Sequence, residues 1–579
     1  MKNKINKYIS ITLASFFLLV GCDEESFLDQ QNPNTITTDT FWKTSNQFQT
    51  GLNTVYAALQ FQSVSGGGLI YEMAMGDIGG TESWYRPFAF RNLTYNDGFY
   101  YVTDKWNELY IGVFRANQVI QNLQTTEATF GTGERESIEA QARFLRAFYY
   151  FQLAHTYGGA VIRDNVPETR EDFDVPFSTK EEVTNTMIIP DLEFAVSNLP
   201  VNWNSDDIGR ITQGAAKSLL GKVYLYQEDF TEAASLFKQV IDSGVYDLTA
   251  DIMDNFTAEN EYNEESIFEV AYNSEINPGA HGEAVDDINS NSINQTGSEA
   301  TTLATAFGQL NFGAFNTLLP SYYLHELYTS DEIDPTNNVN DGNQQSKRLS
   351  ASIVPIDGET EYYQLPIGER GGWAFGQSAY IKKHTNWYHW TQEDANNRSG
   401  INFRHIRLAD VYLMYAEAVI ESAGNAAEAI KYIDMIRARA GVKTLSQYMN
   451  DNGGMFPQLH ISKQVHGTQP LVSATPENVL THIRKVERPL ELAFEGHRWK
   501  DLVRWGIVQE VFDDLRADEV WRQNNQDILN IAGDGVPPLY IKERVRPDFN
   551  LSSVNYQSAT HDYLPIPVTE QQTNGALNN

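Results

Sequence analysis

Apolar residues recur at helical spacing over most of this chain, in blocks separated by two irregular stretches. The first block follows Asn34-Thr35-Ile36-Thr37-Thr38-Asp39-Thr40, where Thr38 or Asp39 is placed to cap a helix running through Gln47, Leu52, Val55 and Leu59. Periodicity resumes from Trp106 to Leu123, with Trp106, Tyr110, Val113 and Val119 sharing a broad face. A longer amphipathic helix is predicted from about Glu134 to Thr156. Its stripe is Phe144, Leu145, Phe148, Tyr149 and Phe151, and Gly158-Gly159 ends it. Another covers roughly Thr179 to Asn198 and closes before Pro200; later helices are predicted at Ile406–Ser422, Ala426–Ala440 and Pro476–Trp505.

The first irregular stretch, residues 63–103, is rich in glycine and aromatics and reads as a long loop region, of the kind that tends to carry function. The second, residues 245–400, has few long periodic runs and many Asn, Ser and Gly. Alternations such as Ser266-Ile267-Phe268-Glu269-Val270 predict brief strands there. From Asp534 onward the tail is proline-rich and reads as extended, ending in Leu564-Pro565-Ile566-Pro567.

One repeat stands out. Leu220-Gly221 and Tyr224, followed by Ala233 and Phe237, match the tetratricopeptide spacing of L-G-x-x-Y, then Ala, then Phe. Glycine there lets the partner helix approach, Ala233 sits at the crossing and Phe237 fills the groove. Ala416-Glu417 with Ile420, Ala429 and Ile433 repeats the register more loosely, with glutamate in place of glycine. Two matches so far apart imply helix pairs separated by insertions rather than a tandem array. The predicted fold class is therefore mainly α: tetratricopeptide-like helix pairs as scaffold, with an inserted irregular, loop-rich subdomain containing short strands.

At the N-terminus, Lys2, Lys4 and Lys7 precede Tyr8–Val20, an uncharged, apolar-leaning run of 13 residues. That is too short for a hydrocarbon core needing about 20, so it reads as a signal peptide. Leu19-Val20-Gly21-Cys22 ends it, and Cys22 is the sole cysteine of 579 residues. The tetrapeptide resembles a bacterial lipobox, which implies cleavage before Cys22, acylation of its thiol and a lipid anchor. The acidic run Asp23-Glu24-Glu25 resembles a surface-export signal, so the mature protein is expected to face outside.

Composition narrows the partners. The formal net charge is −34, and losing residues 1–21, with three lysines and no acids, takes it to −37. A nucleic-acid partner is excluded on that ground. With its cysteine committed to lipid, the mature chain forms no internal disulfide, so packing must stabilise it. Thirty Tyr, thirty Phe and ten Trp are many for so acidic a chain. No zinc motif, phosphate-binding glycine loop or GxSxG elbow occurs. Asp331-Glu332-Ile333-Asp334 and Asn338–Asp341 offer oxygen ligands for a structural calcium ion. Their spacing does not match the helix-loop-helix site, however, and a solvated acidic loop is the better reading. No cofactor is expected otherwise.

The segment Arg488, Glu491-Leu492, Phe494-Glu495-Gly496, Arg498-Trp499, Asp501-Leu502 and Arg504-Trp505-Gly506 places acids and bases at i+3 and i+4 on one predicted helix. Glu495 and Arg498 are spaced to pair, which favours a packed, salt-bridged helix over a catalytic role for Glu495 or His497. This segment resembles the C-terminal hallmark of the SusD/RagB family of outer-membrane lipoproteins. Ile406 to Ala418 resembles the family's second signature, and Ala142 to Tyr150 with Tyr157-Gly158-Gly159 its N-terminal one. The resemblance implies tetratricopeptide-like helix pairs beneath a loop-rich half. It also implies a non-catalytic protein that captures oligo- or polysaccharide and passes it to a SusC-like TonB-dependent transporter.

Residues 1–21 then form the signal peptide, 22–42 a lipid-anchored tether and 43–244 the N-terminal helical region. Residues 245–400 form the loop-rich ligand-binding subdomain and 401–579 the C-terminal helical region. A glycan surface needs aromatic platforms for C–H faces and polar groups for hydroxyls. Trp84, Tyr85, Arg86 and Tyr95 in the first irregular stretch, and Trp373, Trp387 and Trp390 in the second, are the candidates. A strand through Trp387 and Trp390 would send them to opposite faces, so both can bind only from a loop. The acidic surface favours a neutral β-glucan over a polyanion. Two other readings fit the sequence: a lipid-anchored glycoside hydrolase, which needs two carboxylates about 5–10 Å apart, and a peptide-binding member of the same family.

Overall fold

The Thr44 side chain accepts the Gln47 N–H while the Gln47 side chain turns back to the Thr44 backbone, a capping box that opens α1 (Ser45–Ala57). A computed structural model describes residues 41–81, 85–275, 299–355, 358–365, 379–525 and 549–578. The cap therefore falls at Thr44, and Thr38 and Asp39 lie outside the described residues. Phe48, Leu52 and Val55 of α1 are fully buried, and Trp42 already packs on Phe48.

The long helices α2 (Tyr100–Thr125) and α3 (Glu134–Tyr157) pack together. A side chain at Gly112 would bring its Cβ within 2.4 Å of the Tyr149 ring, so that contact requires glycine. Phe144, Leu145, Phe148, Tyr149 and Phe151 on α3 are no more than 4% exposed, and the helix stops at Gly158 with φ of 77°. Next come α4 (Ile189–Asn198), α5 (Gln213–Tyr226) and α6 (Phe230–Asp242). A Cβ at Gly221 would sit 2.7 Å from the Phe237 ring, and Ala233 is fully buried, as the repeat spacing predicts.

The second helix pair, α7 (Leu408–Ala423) and α8 (Ala426–Arg439), continues this stack, because α6 packs directly on α7. The insertion interrupts the sequence but not the array. Glu417, standing where the first pair has Gly221, accepts two bonds from Arg504 (2.7 and 2.6 Å) and one from the Trp505 indole at 2.6 Å.

The irregular part is built from two-stranded antiparallel pieces. β1 (Gly79–Gly80) pairs with β5 (Leu319–Pro320), counting β2 (Gly159–Val161), β3 (Phe177–Thr179) and β4 (Ser266–Val270) between them; β2 pairs with β3. β6 (Ile353–Pro355) pairs with β7 (Ala379–Ile381), and β4 with β8 (Phe403–Arg407). Ile406 and Arg407 thus lie on a strand rather than starting the helix.

Three further expectations change. The described residues of 63–103 hold short helices at Gln62–Ser65, Ile70–Met75 and Phe88–Arg91, and residues 63–81 are almost all buried. The glycines there serve close packing: a Cβ at Gly67 would meet Thr302 Oγ1 at 2.1 Å. The C-terminal signature is not one helix. Helix α9 (Pro476–His482) runs through a π-turn and the short helix Arg488–Glu491, then residues 492–497 leave the helix before α10 (Arg498–Arg504). Phe494 (φ 62°) and Gly496 (φ 81°) make that break, which buries the Phe494 ring and turns Glu495 inward. The described tail, after α11 (Val508–Asn524), contains short helices at Asn550–Asn555, Ser558–His561 and Val568–Thr573. The longest run without secondary structure there is 564–567, and the Leu564 N–H donates to the Thr156 carbonyl at 2.7 Å.

Candidate functional site

Pairing of β1 with β5 is continued by the Thr81 hydroxyl, which donates to the Thr317 carbonyl at 2.7 Å, next to the turn 309–316. The Tyr85 hydroxyl donates to the Phe315 carbonyl at 2.5 Å. Phe315 and Leu310 project outward, 39% and 45% exposed, while Phe312 turns inward and stacks on Tyr363 with ring centres 4.6 Å apart. Beneath lies a small aromatic core of Phe312, Leu319, Val354, Tyr362, Tyr363 and Tyr380. Burial, and then the nearby Tyr85, pushes the Tyr380 phenol up.

Trp387 packs half-buried on that core, with the Lys382 ammonium 3.5 Å from its ring centre. It sits in a turn, not a strand: the Trp390 N–H donates to the Asn386 carbonyl at 3.0 Å. Both tryptophans are therefore free of the opposite-face constraint. Buried Glu393 holds the turn, accepting from the Asn386 N–H (2.8 Å), the Asn386 amide (2.7 Å) and the Tyr363 hydroxyl (2.7 Å). The Glu393 N–H donates to the Phe312 carbonyl at 2.8 Å, which joins the two turns. The Trp387 indole N–H is buried and, among the described residues, has no partner.

The candidates divide accordingly. Tyr85, Trp387 and Trp390 belong to this neighbourhood. Arg86 is exposed, its guanidinium 5.3 Å from the Tyr100 ring. Tyr95 stacks on Phe90 at 4.6 Å, near His561, and burial raises its phenol; it stands in a separate cluster. Trp84, Trp373 and Cys22 lie outside the described residues. Phe315, Leu310 and Lys382 were missed. The run Asn311-Phe312-Gly313-Ala314-Phe315 has the same glycine–aromatic composition as the stretches singled out, and was the available signal.

The charged signature is structural. Glu495, 3% exposed, is held by Arg407 and Lys383, not by Arg498. Arg498 instead clasps Asp77 with two bonds of 2.6 Å, because the break at Phe494 swings Glu495 away from it. Burial opposes ionisation of Glu495, yet Arg407 and Lys383 override it and hold its carboxyl down at about 2. His497 is kept neutral, lowered to about 4 by burial and then by Lys222. In the acidic loop, the Asp331 carboxylate is bound by Arg348 and Arg437, and Asp334 by Thr336 and Gln447. Among the described residues no cluster of three His, Cys, Asp or Glu is arranged to hold a metal.

Comparison with known proteins agrees over most of the chain. A model of the SusD family matches residues 264–579, and a second, described as starch-binding associating with outer membrane, matches residues 26–225. SusD-like protein P2 of Formosa agariphila is 25% identical over 545 residues, spanning 91% of this chain and 97% of that protein. A SusD superfamily crystal structure from Bacteroides vulgatus superposes with a TM-score of 0.70 at 24% identity, covering 93% and 98% of the two chains. Surface glycan-binding protein A from Bacteroides thetaiotaomicron, in complex with laminarihexaose, superposes at 0.62 with 19% identity, covering 92% and 99%. The family model alone spans more than half of the sequence, and this chain belongs to the SusD family.

Proposed function

We propose that this protein is a cell-surface glycan-binding lipoprotein, non-catalytic, that captures oligo- or polysaccharide and passes it to a SusC-like TonB-dependent transporter. Cys22 would carry the lipid that holds it in the outer membrane, facing outside. The observation that carries the reading is the aromatic surface around Tyr85 and Phe315. It offers an outward ring at Phe315 and a half-buried indole at Trp387, on a rigid support through Glu393. Rings for C–H faces beside hydrogen-bonding groups are what a sugar requires. Trp84 and Trp373 are proposed as further contacts.

A neutral β-glucan is the favoured ligand class. The chain is too acidic to draw in a polyanion, and one relative of the same fold holds laminarihexaose. Affinity electrophoresis of the mature protein in gels carrying laminarin, starch, xylan or alginate tests the reading. Retardation by a neutral glucan, with no release of reducing ends on prolonged incubation, is the expected result. Release of reducing ends would establish a hydrolase instead.

A further inference from the structure

On the helical side, sharing no residue with the aromatic surface, α1, the start of α3 and the loop 197–210 enclose an open groove of ≈ 810 Å³. That is within the size range of small-ligand sites, roughly 300–1,000 Å³. Its lining differs from the acidic chain around it. Asn46, Gln49 and Asn53 stand on one face of α1, three and four residues apart, and Asn202 and Asn204 face in from the loop with Trp203 between them.

The charged groups in the groove are already engaged. Arg210 Nε donates to Asp207 Oδ1 at 2.7 Å, and Glu134 accepts the Gly131 N–H at 2.7 Å together with the Ser45 hydroxyl. Trp203 is fixed in place by a relay. Its indole N–H donates to the Ile211 carbonyl at 2.8 Å, the Ile211 N–H donates to the Tyr56 hydroxyl at 3.1 Å, and that hydroxyl donates to Gln141 Oε1 at 2.8 Å. Two of the amides are less committed. Gln49 bonds to Glu134, Asn53 accepts from Arg210 and Asn204 caps the turn at Asp206–Asp207, but among the described residues the Asn46 and Asn202 side chains make no hydrogen bond. Val201 and Ile208, on the same loop, are 49% and 61% exposed.

A fixed indole, two uncommitted neutral amides and internally paired charges fit a ligand with apolar faces and uncharged hydroxyls. An anion would find one arginine, already paired. We propose that this groove is a second glycan-binding site, which takes a short stretch of neutral oligosaccharide. It builds on the glycan-binding reading above and uses none of its residues. Two sites on one chain would hold a polymer more tightly than either alone, since the second engagement is intramolecular.

The test is fluorine NMR of the full mature protein labelled with 5-fluorotryptophan, with the Trp203 resonance assigned from Trp203→Phe. Laminarihexaose, cellohexaose and maltohexaose are the probes. The expected result is a saturable shift of the Trp203 resonance with at least one of them, unchanged in Trp387→Ala. Replacing both Asn46 and Asn202 by Ala, exposed positions that leave the Trp203 anchor intact, should weaken that titration about tenfold, as the loss of two neutral hydrogen bonds implies. A Trp203 resonance unmoved by all three sugars overturns the proposal, as does a shift that vanishes in Trp387→Ala. If Trp387 responds and Trp203 does not, the second site alone fails; if neither responds, the neutral-glucan reading fails with it.

Discussion

Arg407 and Glu495 meet through two parallel bonds, Nε to Oε2 and Nη2 to Oε1, both 2.8 Å, which tie strand β8 to the break between α9 and α10. Arg407 also reaches Glu491 (2.6 Å) and Glu265 (2.7 Å), and Arg439 pairs with the same two carboxylates. The network is buried throughout. Removing one partner strands charge in the interior, which costs about 3–5 kcal/mol. Arg407→Met should lose that much in urea unfolding, whereas Arg86→Met, at an exposed site, should change little.

Acid should destabilise the protein progressively from near neutrality. Burial alone holds His325 down at about 4 from its usual 6.5. Between those values the unfolded chain binds a proton that the folded chain refuses, so stability falls as pH falls, by roughly 2 kcal/mol from pH 6.5 to 5 for this one group. Glu72 and Glu495 extend the trend. Burial opposes their charge, but Lys105 and Lys500 around the first, and Arg407 and Lys383 around the second, hold both at about 2. Their stabilisation is complete above pH 4.5 and is lost toward pH 2. Calorimetry should show His325→Gln losing less Tm between pH 7 and pH 5 than the wild type.

The helix pair α5/α6 depends on a missing side chain. Gly221→Ala would set a Cβ 2.7 Å from the Phe237 ring. The resulting overpacking should cost about 1–3 kcal/mol by thermal melting, and Phe237→Leu should restore part of it.

The helical scaffold was legible because its periodicity is local: the Phe144–Phe151 stripe and the Gly221–Ala233–Phe237 spacing both predict what is observed. Long-range pairing was not legible. Glu495 and Arg498 lie three residues apart and look like partners, yet Phe494 breaks the helix between α9 and α10, and each finds its counterion far away, in Arg407 and Asp77. The glycines of 66–68 read as loop but serve contact with Gln62 and Thr302. For the aromatic surface, composition pointed to Tyr85, Trp387 and Trp390. Phe315 was not legible because long-range contacts, among them the Tyr85 hydroxyl on its carbonyl and the Glu393 N–H on the Phe312 carbonyl, bring that turn into place.

The proposed anchoring would rest on Cys22. Expressed with its own leader in a bacterium that acylates lipoproteins, the protein should partition into the detergent phase, and Cys22→Ala should move it to the aqueous phase. A wild-type protein that stays aqueous would contradict the lipoprotein reading.

The central claim is that the Tyr85–Phe315–Trp387 surface binds a neutral glucan without cutting it. Calorimetric titration of laminarihexaose into the mature wild type and into Trp387→Ala tests it most directly. Losing one stacking aromatic is worth about 1–2 kcal/mol, so affinity should fall roughly 5- to 30-fold in the variant. Equal affinities in the two proteins would contradict the account.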